Sequence, residues 1–484
     1  MGAAVPGGAR DPSDERTSMQ LDESSPLPLY RQIYDSIRTG IDAGSYPPGS
    51  RLPSIRGLAD ELQCSRNTID AAYSLLVEEG FVASRPGSGY RVLDLHQLSP
   101  VPAPAAAGHT SPAAPAGANP VRYDFSYGNL EPGTFPASAW RSIVDDLLLS
   151  VESRTCDTYT NPLGEMALRQ QIAWRLNSSR NMDCTADQII VQAGTAASIQ
   201  NLLALFDSGR DTVCMEEPGY DGARQVFSRS AFPVAPCRVY GTMENFFEDL
   251  EKAQPRLLYV TPSSQFPTCS VMPIKMRARL IAWAEANDTY ILEDDYCRDF
   301  RYRERPLPPL QSMDQSGRVI YMGTFSKSLS PALRMNYLVL PPRLLERWHE
   351  KFRGAYPTVP WLSQAACARF MADGQWDRHL RRLQMKNLRK YTALFEALQK
   401  AMGQKVDVLE NGTGLHLLVD VKDGRSQEEL LALARAAGVA VYGTERYWMS
   451  ENHPLKSCML VGFSAIREED IAPGIDALAQ AWFG

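Results

Sequence analysis

The sequence lacks the patterns that mark disulfide-stapled, metal-binding and membrane-spanning proteins. Its nine cysteines are odd in number, include no CxxC pair and follow no metal-ligand spacing, which predicts a reducing compartment and no metal site. No apolar run approaches the roughly 18 residues of a membrane-spanning helix. The first 25 residues contain acids and have the pattern of neither a signal nor a transit peptide. We therefore expect a cytoplasmic protein, without membrane contact, whose residues 1–25 form a disordered tail.

The sequence also has no excess of basic over acidic residues. The chain carries 50 Lys and Arg against 56 Asp and Glu, a formal net charge of −6, which excludes a protein that coats nucleic acid along its whole length. The balance still permits a small DNA-reading module on an acidic body. With 484 residues, of which 44% are hydrophobic, the chain is long enough for about three structural units around large cores.

Residues 96–120 contain no Lys, Arg, Asp or Glu, whereas eight of them are Ala and six are Pro. Prolines at this density break helices, so the stretch is predicted to be an extended linker that reaches roughly 75 Å at about 3.1 Å per residue. The sequence therefore divides into a head at residues 26–95, this linker and a body at residues 121–484.

The head has the pattern of a winged helix-turn-helix. Apolar residues recur at helical spacing over residues 28–43, and Ser54 and Ser65 are placed to cap two further helices. The stretch FVASRPGSGYRVL then predicts two strands joined by a turn. The third helix is predicted to end at Gly80 and to bury one apolar stripe, formed by Ile69, Ala72, Tyr73, Leu76 and Val77.

The N-terminal end of the third helix is the part that would read DNA. Arg66, Asn67 and Thr68 supply donors where a major-groove reader needs them, and Arg56 and Arg85 could hold phosphates. Against this, residues 26–95 carry seven Arg, no Lys and eight acids, a net charge of −1. Helix-turn-helix patterns also occur in packed three-helix domains, so the periodicity alone leaves both interpretations open.

The run RLPSIRGLADELQCSRNTIDAAYSLLVEEGFVASRPGSGYRV resembles the GntR-type DNA-binding domain along nearly its whole length. The resemblance implies binding to a double-stranded DNA operator. Asp70 stands where some relatives carry a base-reading Arg, so the operator sequence does not follow from theirs. The residues that match DNA-contacting positions of the family, including the glycines of the wing, are Arg56, Arg66, Asn67, Thr68, Gly87 and Gly89.

In the body, apolar strand patterns alternate with helical ones, which predicts an α/β fold with a mostly parallel sheet and helices on both faces. In such sheets a ligand binds beyond the carboxyl ends of the strands. The residues Gly194, Tyr220, Asp294 and Lys327 all fall at such ends.

These strand-end residues suggest a phosphorylated aromatic cofactor. The run AGTAA before a helix suits a phosphate, although small residues there are equally consistent with tight packing. The carboxylates of residues 293–295 could serve a ring nitrogen, a metal site or a solvated turn, and Lys327 could be an ordinary surface lysine. Taken together, a lysine for a Schiff base and a carboxylate for a pyridinium nitrogen indicate pyridoxal phosphate.

Residues from about 123 to 483 resemble a fold-type I aminotransferase with a smaller C-terminal lobe, and the whole chain resembles the MocR subfamily of GntR regulators. The resemblance implies that Lys327 forms the internal aldimine, that Asp294 keeps the pyridine nitrogen protonated and that Tyr296 binds the ring oxygen. Tyr159 matches a tyrosine that reaches the phosphate of the partner subunit, which implies a homodimer with shared sites. The remaining cofactor-binding matches are Tyr220 stacked on the ring and, at the phosphate, Gly194, Thr195, Ala196, Thr324 and Arg334.

Two departures from the aminotransferase pattern concern the substrate side. Phe266 stands where many aminotransferases have an Asn that binds the ring oxygen, and residues 459–464 lack the Arg that usually binds the substrate carboxylate. Arg446 is the nearest candidate to bind an effector, and a surface arginine is the alternative. The missing strand Arg argues against efficient turnover, while exchange at the lysine or a transamination half-reaction remains available.

The sequence thus predicts a pyridoxal phosphate-dependent transcriptional regulator that senses an amino compound, or the cofactor itself, through the Lys327 aldimine. One alternative is an active aminotransferase that carries a DNA-binding domain. Another is a DNA-binding scaffold with a cofactor-free body, which the joint presence of Lys327, Asp294, Tyr296 and Arg334 disfavours.

Overall fold

The computed structural model describes residues 21–22, 25, 27–85, 89–94, 120–150, 157–303, 306–409, 412–451 and 453–484. The chain divides into two compact units, residues 1–113 and 114–484. The C-terminal lobe belongs to the second unit. Among the described residues, no helix is both long and apolar enough to cross a membrane.

The first unit has the predicted helix-turn-helix and hairpin. Ser54 begins the second helix by accepting a hydrogen bond from Gly57 N at 3.0 Å, and Ser65 begins the third by accepting one from Thr68 N at 3.1 Å. Tyr73 OH, on the third helix, donates to the carbonyl oxygen of Pro53, just before the second helix, at 2.9 Å. The elements are α1 (Leu29–Asp42), α2 (Ile55–Glu61), α3 (Arg66–Glu78), β1 (Val82–Arg85) and β2 (Gly89–Val92).

One residue of the predicted apolar stripe does not join the core of this unit. Ile69 and Leu76 are fully buried, whereas Val77 is 37% exposed. At about 100° per residue, Val77 lies about 80° around α3 from Ile69, at the margin of the buried stripe. Of the predicted tail, Leu21 packs against the same core, while most of the tail, the linker before residue 120 and Gly87 lie outside the described residues.

The second unit is built on a seven-stranded sheet with the strand order β4 (Ile189–Gln192), β10 (Asn336–Val339), β9 (Val319–Thr324), β8 (Tyr290–Asp294), β7 (Leu257–Val260), β5 (Val213–Glu217) and β6 (Val234–Arg238). Only β10 is antiparallel to both of its neighbours. The strands β4, β5, β7, β8 and β10 are buried along their whole length, as expected of strands covered by helices on both faces. The predicted mostly parallel α/β sheet is confirmed. The elements in chain order are β3 (Tyr123–Asp124), α4 (Ala137–Ser150), α5 (Met166–Arg180), β4 (Ile189–Gln192), α6 (Thr195–Leu203), β5 (Val213–Glu217), α7 (Asp221–Arg229), β6 (Val234–Arg238), α8 (Met243–Ala253), β7 (Leu257–Val260), α9 (Ile274–Ala286), β8 (Tyr290–Asp294), α10 (Leu310–Met313), β9 (Val319–Thr324), β10 (Asn336–Val339), α11 (Pro342–Lys351), α12 (Trp361–Ala372), α13 (Gln375–Met402), β11 (Val406–Leu409), β12 (His416–Val421), α14 (Gln427–Ala436), β13 (Val439–Ala440), β14 (Tyr442–Gly443), β15 (Cys458–Gly462) and α15 (Glu468–Phe483).

The C-terminal lobe has an antiparallel sheet of its own, with the order β11-β12-β15-β14. Its core lies between this sheet and the helices α13, α14 and α15. The short strand β3, which is the first element after the linker, pairs in parallel with β13. The first described residues of the second unit are therefore joined to its C-terminal lobe.

Candidate functional site

A cavity of about 380 Å³ lies at the carboxyl ends of the central strands. It is bordered by loops that follow β5, β8 and β9 and by the N-terminal end of α6. The C-terminal lobe contributes Arg446 and Tyr447 to its wall. The sequence-predicted residues that line it are Thr195, Ala196, Tyr220, Asp294, Tyr296, Thr324, Lys327, Arg334 and Arg446.

Lys327 follows β9, and its side chain is half-buried in the cavity wall. Its Nζ donates a hydrogen bond to the carbonyl oxygen of Gly128 at 3.1 Å and lies 4.5 Å from the ring centre of Tyr127. Burial lowers the pKa of the Lys327 amine, while nearby Cys297 and Asp294 act to raise it. A buried amine with a lowered pKa is a better nucleophile toward a carbonyl group than a surface lysine.

Asp294, the last residue of β8, is 5% exposed and aimed at the cavity floor. Burial raises the pKa of its carboxyl to about 7, and neighbouring Asp295 acts in the same direction. Tyr259 OH donates to Asp294 Oδ2 at 2.6 Å and, with Lys327, opposes that rise. A protonated ring nitrogen would hold this carboxylate in its charged form.

The three consecutive acids at residues 293–295 do not form one site. Glu293 accepts from the backbone N–H groups at the start of α10 at 2.9 and 3.0 Å. Asp295 forms a buried ion pair with Arg180 at 2.9 Å and accepts from Tyr321 OH at 2.8 Å. The side chains point to different partners, and no cluster of three or more His, Cys, Asp or Glu side chains in the described part of the chain is placed to hold a metal.

A cradle for an anion lies at the N-terminal end of α6. Gly194 precedes this helix with a φ of +89°, and a Cβ at this position would lie 2.5 Å from Arg334 Nη2. The guanidinium therefore covers the glycine directly, beside Thr195 and Ala196. Free N–H groups and the positive end of a helix dipole favour a phosphate here, and an arginine fork strengthens the site. Thr324 also borders it, with its Oγ1 accepting from Ser326 N at 3.1 Å.

Aromatic side chains form the remaining wall. Phe266 is 2% exposed and contacts five rings, among them those of Tyr220 at 5.7 Å and Tyr296 at 6.2 Å between centres. The buried hydroxyl of Tyr296 has no hydrogen-bond partner among the described residues. Burial raises its pKa, and nearby Ser264 opposes that rise. Because an unpaired buried hydroxyl is costly, Tyr296 is suited to a ligand oxygen in the cavity.

Two predicted residues lie at the margin of this site or outside it. Arg446 borders the cavity with its side chain 55% exposed, 3.7 Å from Asp221, and its Nη2 donates to Tyr447 OH at 2.6 Å. Tyr159 is 79% exposed and packs on Tyr356, with ring centres 4.3 Å apart, and does not line the cavity of its own chain.

Several residues of the cavity wall were not predicted from the sequence. One group of them could have been found from the run at residues 127–129, in which an aromatic residue is followed by Gly and Asn shortly after the strand β3. Tyr259 lies within an apolar strand, where the sequence pattern does not distinguish it from a core residue. The missed residues are Tyr127, Gly128, Asn129, Asp221, Gly222, Tyr259, Thr261, Ser326, Pro331 and Tyr447.

In the first unit, three of the predicted DNA-reading side chains are exposed. Arg66 and Asn67 are exposed in the first turn of α3, and Arg56 is exposed on α2. Thr68 is half-buried, and its hydroxyl lies 2.7 Å from that of Ser65. Arg85 is the last residue of β1, and Gly89 begins β2 with a φ of +76°.

The arrangement in the cavity fits a phosphorylated pyridine aldehyde. It offers an amine for the aldehyde, a carboxylate for a ring nitrogen, an unpaired hydroxyl for a ring oxygen, and a helix N-terminus with an arginine for a phosphate. Each group of such a molecule would have a matching partner.

Two families match the chain, and together they cover most of it. Residues 29–92 match the gntR family of bacterial regulatory proteins, and residues 124–464 match aminotransferase class I and II. An HTH-type transcriptional regulator of Bacillus subtilis, YhdI, is 37% identical over 96% of this chain and 97% of its own length. The probable rhizopine catabolism regulatory protein MocR of Rhizobium meliloti is 32% identical over 96% of this chain and 95% of its own length.

Two solved structures are similar to the second unit. The kynurenine aminotransferase of Pyrococcus horikoshii has a TM-score of 0.67 and 24% identity, and the match covers 74% of this chain and 90% of that one. The α-aminoadipate aminotransferase LysN of Thermus thermophilus, solved with N-(5'-phosphopyridoxyl)-L-leucine, has a TM-score of 0.66 and 25% identity, with 74% and 91% covered.

Proposed function

The chain belongs to the MocR subfamily of GntR regulators, in which a DNA-binding domain precedes an aminotransferase-like domain, and it is an HTH-type transcriptional regulator. From this membership we propose that it depends on pyridoxal phosphate and senses an amino compound, or pyridoxal phosphate itself, at Lys327. The observation that carries the proposal is the single cavity that holds the Lys327 amine, the Asp294 carboxylate and the Arg334 guanidinium.

Each group in the cavity has a role in this proposal. When bound, pyridoxal phosphate supplies an aldehyde that joins amines reversibly and a ring that withdraws electrons. Lys327 would hold the aldehyde carbon covalently, and Asp294 would accept a hydrogen bond from the protonated ring nitrogen. The hydroxyl of Tyr296 would bind the ring oxygen and Tyr220 would pack on the ring. The phosphate would lie among Gly194, Thr195, Ala196, Thr324 and Arg334.

The effector would enter on the side of the C-terminal lobe. Arg446 is the one cation that this lobe contributes to the described cavity wall, so it would bind an anionic group of an amino compound. Its ion pair with Asp221 is partly exposed and would have to exchange for that group. Relatives are named for the regulation of pyridoxine biosynthesis and for rhizopine catabolism, so their names point to more than one metabolic role.

The DNA-reading side chains and the subunit arrangement are further parts of the proposal. Arg66, Asn67 and Thr68 would contact bases, and Arg56, Arg85 and the wing glycines would contact the backbone of a double-stranded operator. The exposed ring of Tyr159 would reach the phosphate of the partner subunit in a homodimer, which accords with its absence from the cavity of its own chain.

The test uses the full-length protein and its Lys327→Ala variant. The wild type, loaded with pyridoxal phosphate, is expected to show the absorbance band of a lysine-bound cofactor, and borohydride is expected to fix the cofactor to the peptide that contains Lys327. Lys327→Ala is expected to lose both signals while remaining folded by circular dichroism. An unchanged band in the variant would overturn the lysine assignment.

A second measurement separates the regulator from the alternative, an active aminotransferase. We expect that a set of amino donors and keto acceptors supports at most a single half-reaction, and that operator binding depends on the state of Lys327. Sustained turnover with one donor–acceptor pair, without any effect on operator binding, would support the enzyme instead.

A further inference from the structure

The segment at residues 120–131, here called the strap, is the first described part of the chain after the linker. Its strand β3 (Tyr123–Asp124) pairs in parallel with β13, and Phe125 N donates to Ala440 O at 3.0 Å. Gly462 N on β15 donates to Phe125 O at 2.8 Å, and the Phe125 side chain is fully buried in the core of the lobe. The linker side of the strap is therefore fixed to the C-terminal lobe.

The other side of the strap contacts the reactive lysine. The ring of Tyr127 lies 4.5 Å from Lys327 Nζ, and the carbonyl oxygen of Gly128 accepts a hydrogen bond from the same atom at 3.1 Å. A Cβ at Gly128, whose φ is +108°, would lie 3.4 Å from Lys327 Nζ. Only two residues, Phe125 and Ser126, separate the strand β3 from Tyr127.

The strap has little freedom to move without the lobe. A Cβ at Gly462 would lie 2.4 Å from Ser126 O, so the two backbones are in close contact. Beyond Gly128, Ser464 OH donates to Asn129 O at 2.7 Å. A displacement at Tyr127 or Gly128 would thus be passed to β13 and β15 rather than absorbed in a loose loop.

The contacts of Lys327 with the strap depend on what its nitrogen is bonded to. A free amine has two or three N–H donors and, when protonated, is attracted to the face of an aromatic ring. When the nitrogen joins a carbonyl carbon, with loss of one water molecule, it retains at most one proton. It then cannot serve the Gly128 carbonyl and the Tyr127 ring as a free amine does.

We propose that the strap reports the bonding state of Lys327 to the chain that leads to the DNA-reading unit. A free Lys327 amine holds Tyr127 and Gly128, whereas a Lys327 bonded to the cofactor releases them and lets the strap shift against β13 and β15. The linker ends at residue 120, so the shift acts where the linker joins the second unit. This inference rests on the proposed function, because it needs an effector amine that displaces Lys327 from the cofactor.

The experiment compares two states of the full-length protein loaded with pyridoxal phosphate. One sample is left untreated, so that Lys327 stays bonded. The other is treated with hydroxylamine, whose nitrogen takes over the carbonyl carbon as an oxime and returns the free amine to Lys327. Hydrogen–deuterium exchange of peptides covering residues 120–131 and operator affinity are measured in both.

We expect slower exchange of the strap amides in the hydroxylamine-treated sample and an operator affinity that differs between the two states by about 5- to 150-fold. Tyr127→Leu is expected to reduce that affinity ratio toward one. Tyr127→Phe, the matched control, keeps the ring and is expected to keep the ratio. The operator affinity of each variant is measured at saturating cofactor. Only the ratio of the affinities in its two states is compared with that of the wild type.

The outcomes separate this inference from the proposed function. Equal strap exchange in both states of the wild type, or a full affinity ratio in Tyr127→Leu, would overturn the role of the strap while leaving a cofactor-dependent regulator in place. A wild-type protein that shows no lysine-bound absorbance band at all would overturn the proposed function itself. If Tyr127→Leu does not load with cofactor, the exchange comparison on the wild type decides the question alone.

Discussion

Arg334 lies directly over Gly194. A Cβ on the glycine would be 2.5 Å from Nη2 and 3.1 Å from Cζ of the guanidinium, so the close approach requires the absence of a side chain. The backbone at Gly194 also has a φ of +89°, a conformation that residues with a side chain rarely adopt. The proposed phosphate site therefore depends on one glycine for two separate reasons.

Gly194→Ala is expected to weaken the affinity for pyridoxal phosphate at least tenfold, because the methyl group would displace Arg334 from the phosphate. Equilibrium dialysis of the variant against the cofactor measures the change. Gly354→Ala is the control, since Gly354 has a φ of +78° and open space around its Cβ position, and it should bind the cofactor as the wild type does. Equal affinities in the two variants would contradict the cradle.

Tyr259→Phe is expected to shift the pH dependence of cofactor binding upward. Burial raises the pKa of Asp294 to about 7, and the hydrogen bond from Tyr259 OH opposes that rise. Loss of a hydrogen bond to a charged group would raise the pKa of Asp294 further, by about one unit. Since the carboxylate must be ionised to hold a protonated ring nitrogen, affinity should increase with pH in both proteins, with the later midpoint in Tyr259→Phe. Cofactor titrations between pH 6 and 9 would show coincident midpoints if Tyr259 has no such role.

His416→Gln is expected to reduce the acid sensitivity of the fold. The imidazole is fully buried, and burial lowers its pKa to about 4. In the unfolded chain the pKa is about 6.5, so protons bind the unfolded state first and the free energy of unfolding falls as pH drops from 6.5 to 4. This histidine accounts for up to about 3 kcal/mol of that fall.

Denaturant unfolding at several pH values measures this slope in both proteins. Glu216, Glu293 and Asp294 have pKa values raised to about 7 by burial and act in the opposite direction over the same range, but they are present in both. The difference between the two slopes therefore isolates His416. Parallel slopes would mean that the histidine is not kept neutral by the fold.

Arg66→Ala is expected to weaken operator binding by about 1–3 kcal/mol without changing cofactor content. Arg66 is exposed in the first turn of α3, where a side chain of a recognition helix reaches a base. The matched control is Arg31→Ala on α1, which removes the same charge from the same unit and whose Arg is paired with Asp35 at 3.6 Å. Gel-shift titrations of both variants compare them at one salt concentration, and an equal loss of affinity would point to general charge rather than to readout.

Much of the proposed cofactor site could be predicted from the sequence. Residues such as Lys327 and Asp294 stand at the ends of apolar strands, and the carboxyl ends of parallel strands meet at one edge of a sheet. The acids at residues 293–295 were harder to interpret, because alternation along a strand sends neighbouring side chains to opposite faces. Only the packing showed that Asp295 forms an ion pair with Arg180, whereas Asp294 lines the cavity.

The sequence by itself determined the two-part organisation, the caps of α2 and α3 and the strand ends that carry the cavity, because these depend on local patterns. The tertiary structure alone decided which distant segments meet. It placed Tyr127 and Gly128 against Lys327, about 200 residues later in the chain, and Tyr259 against Asp294. Contacts of this kind arise from strand order and close packing, and no short-range periodicity encodes them.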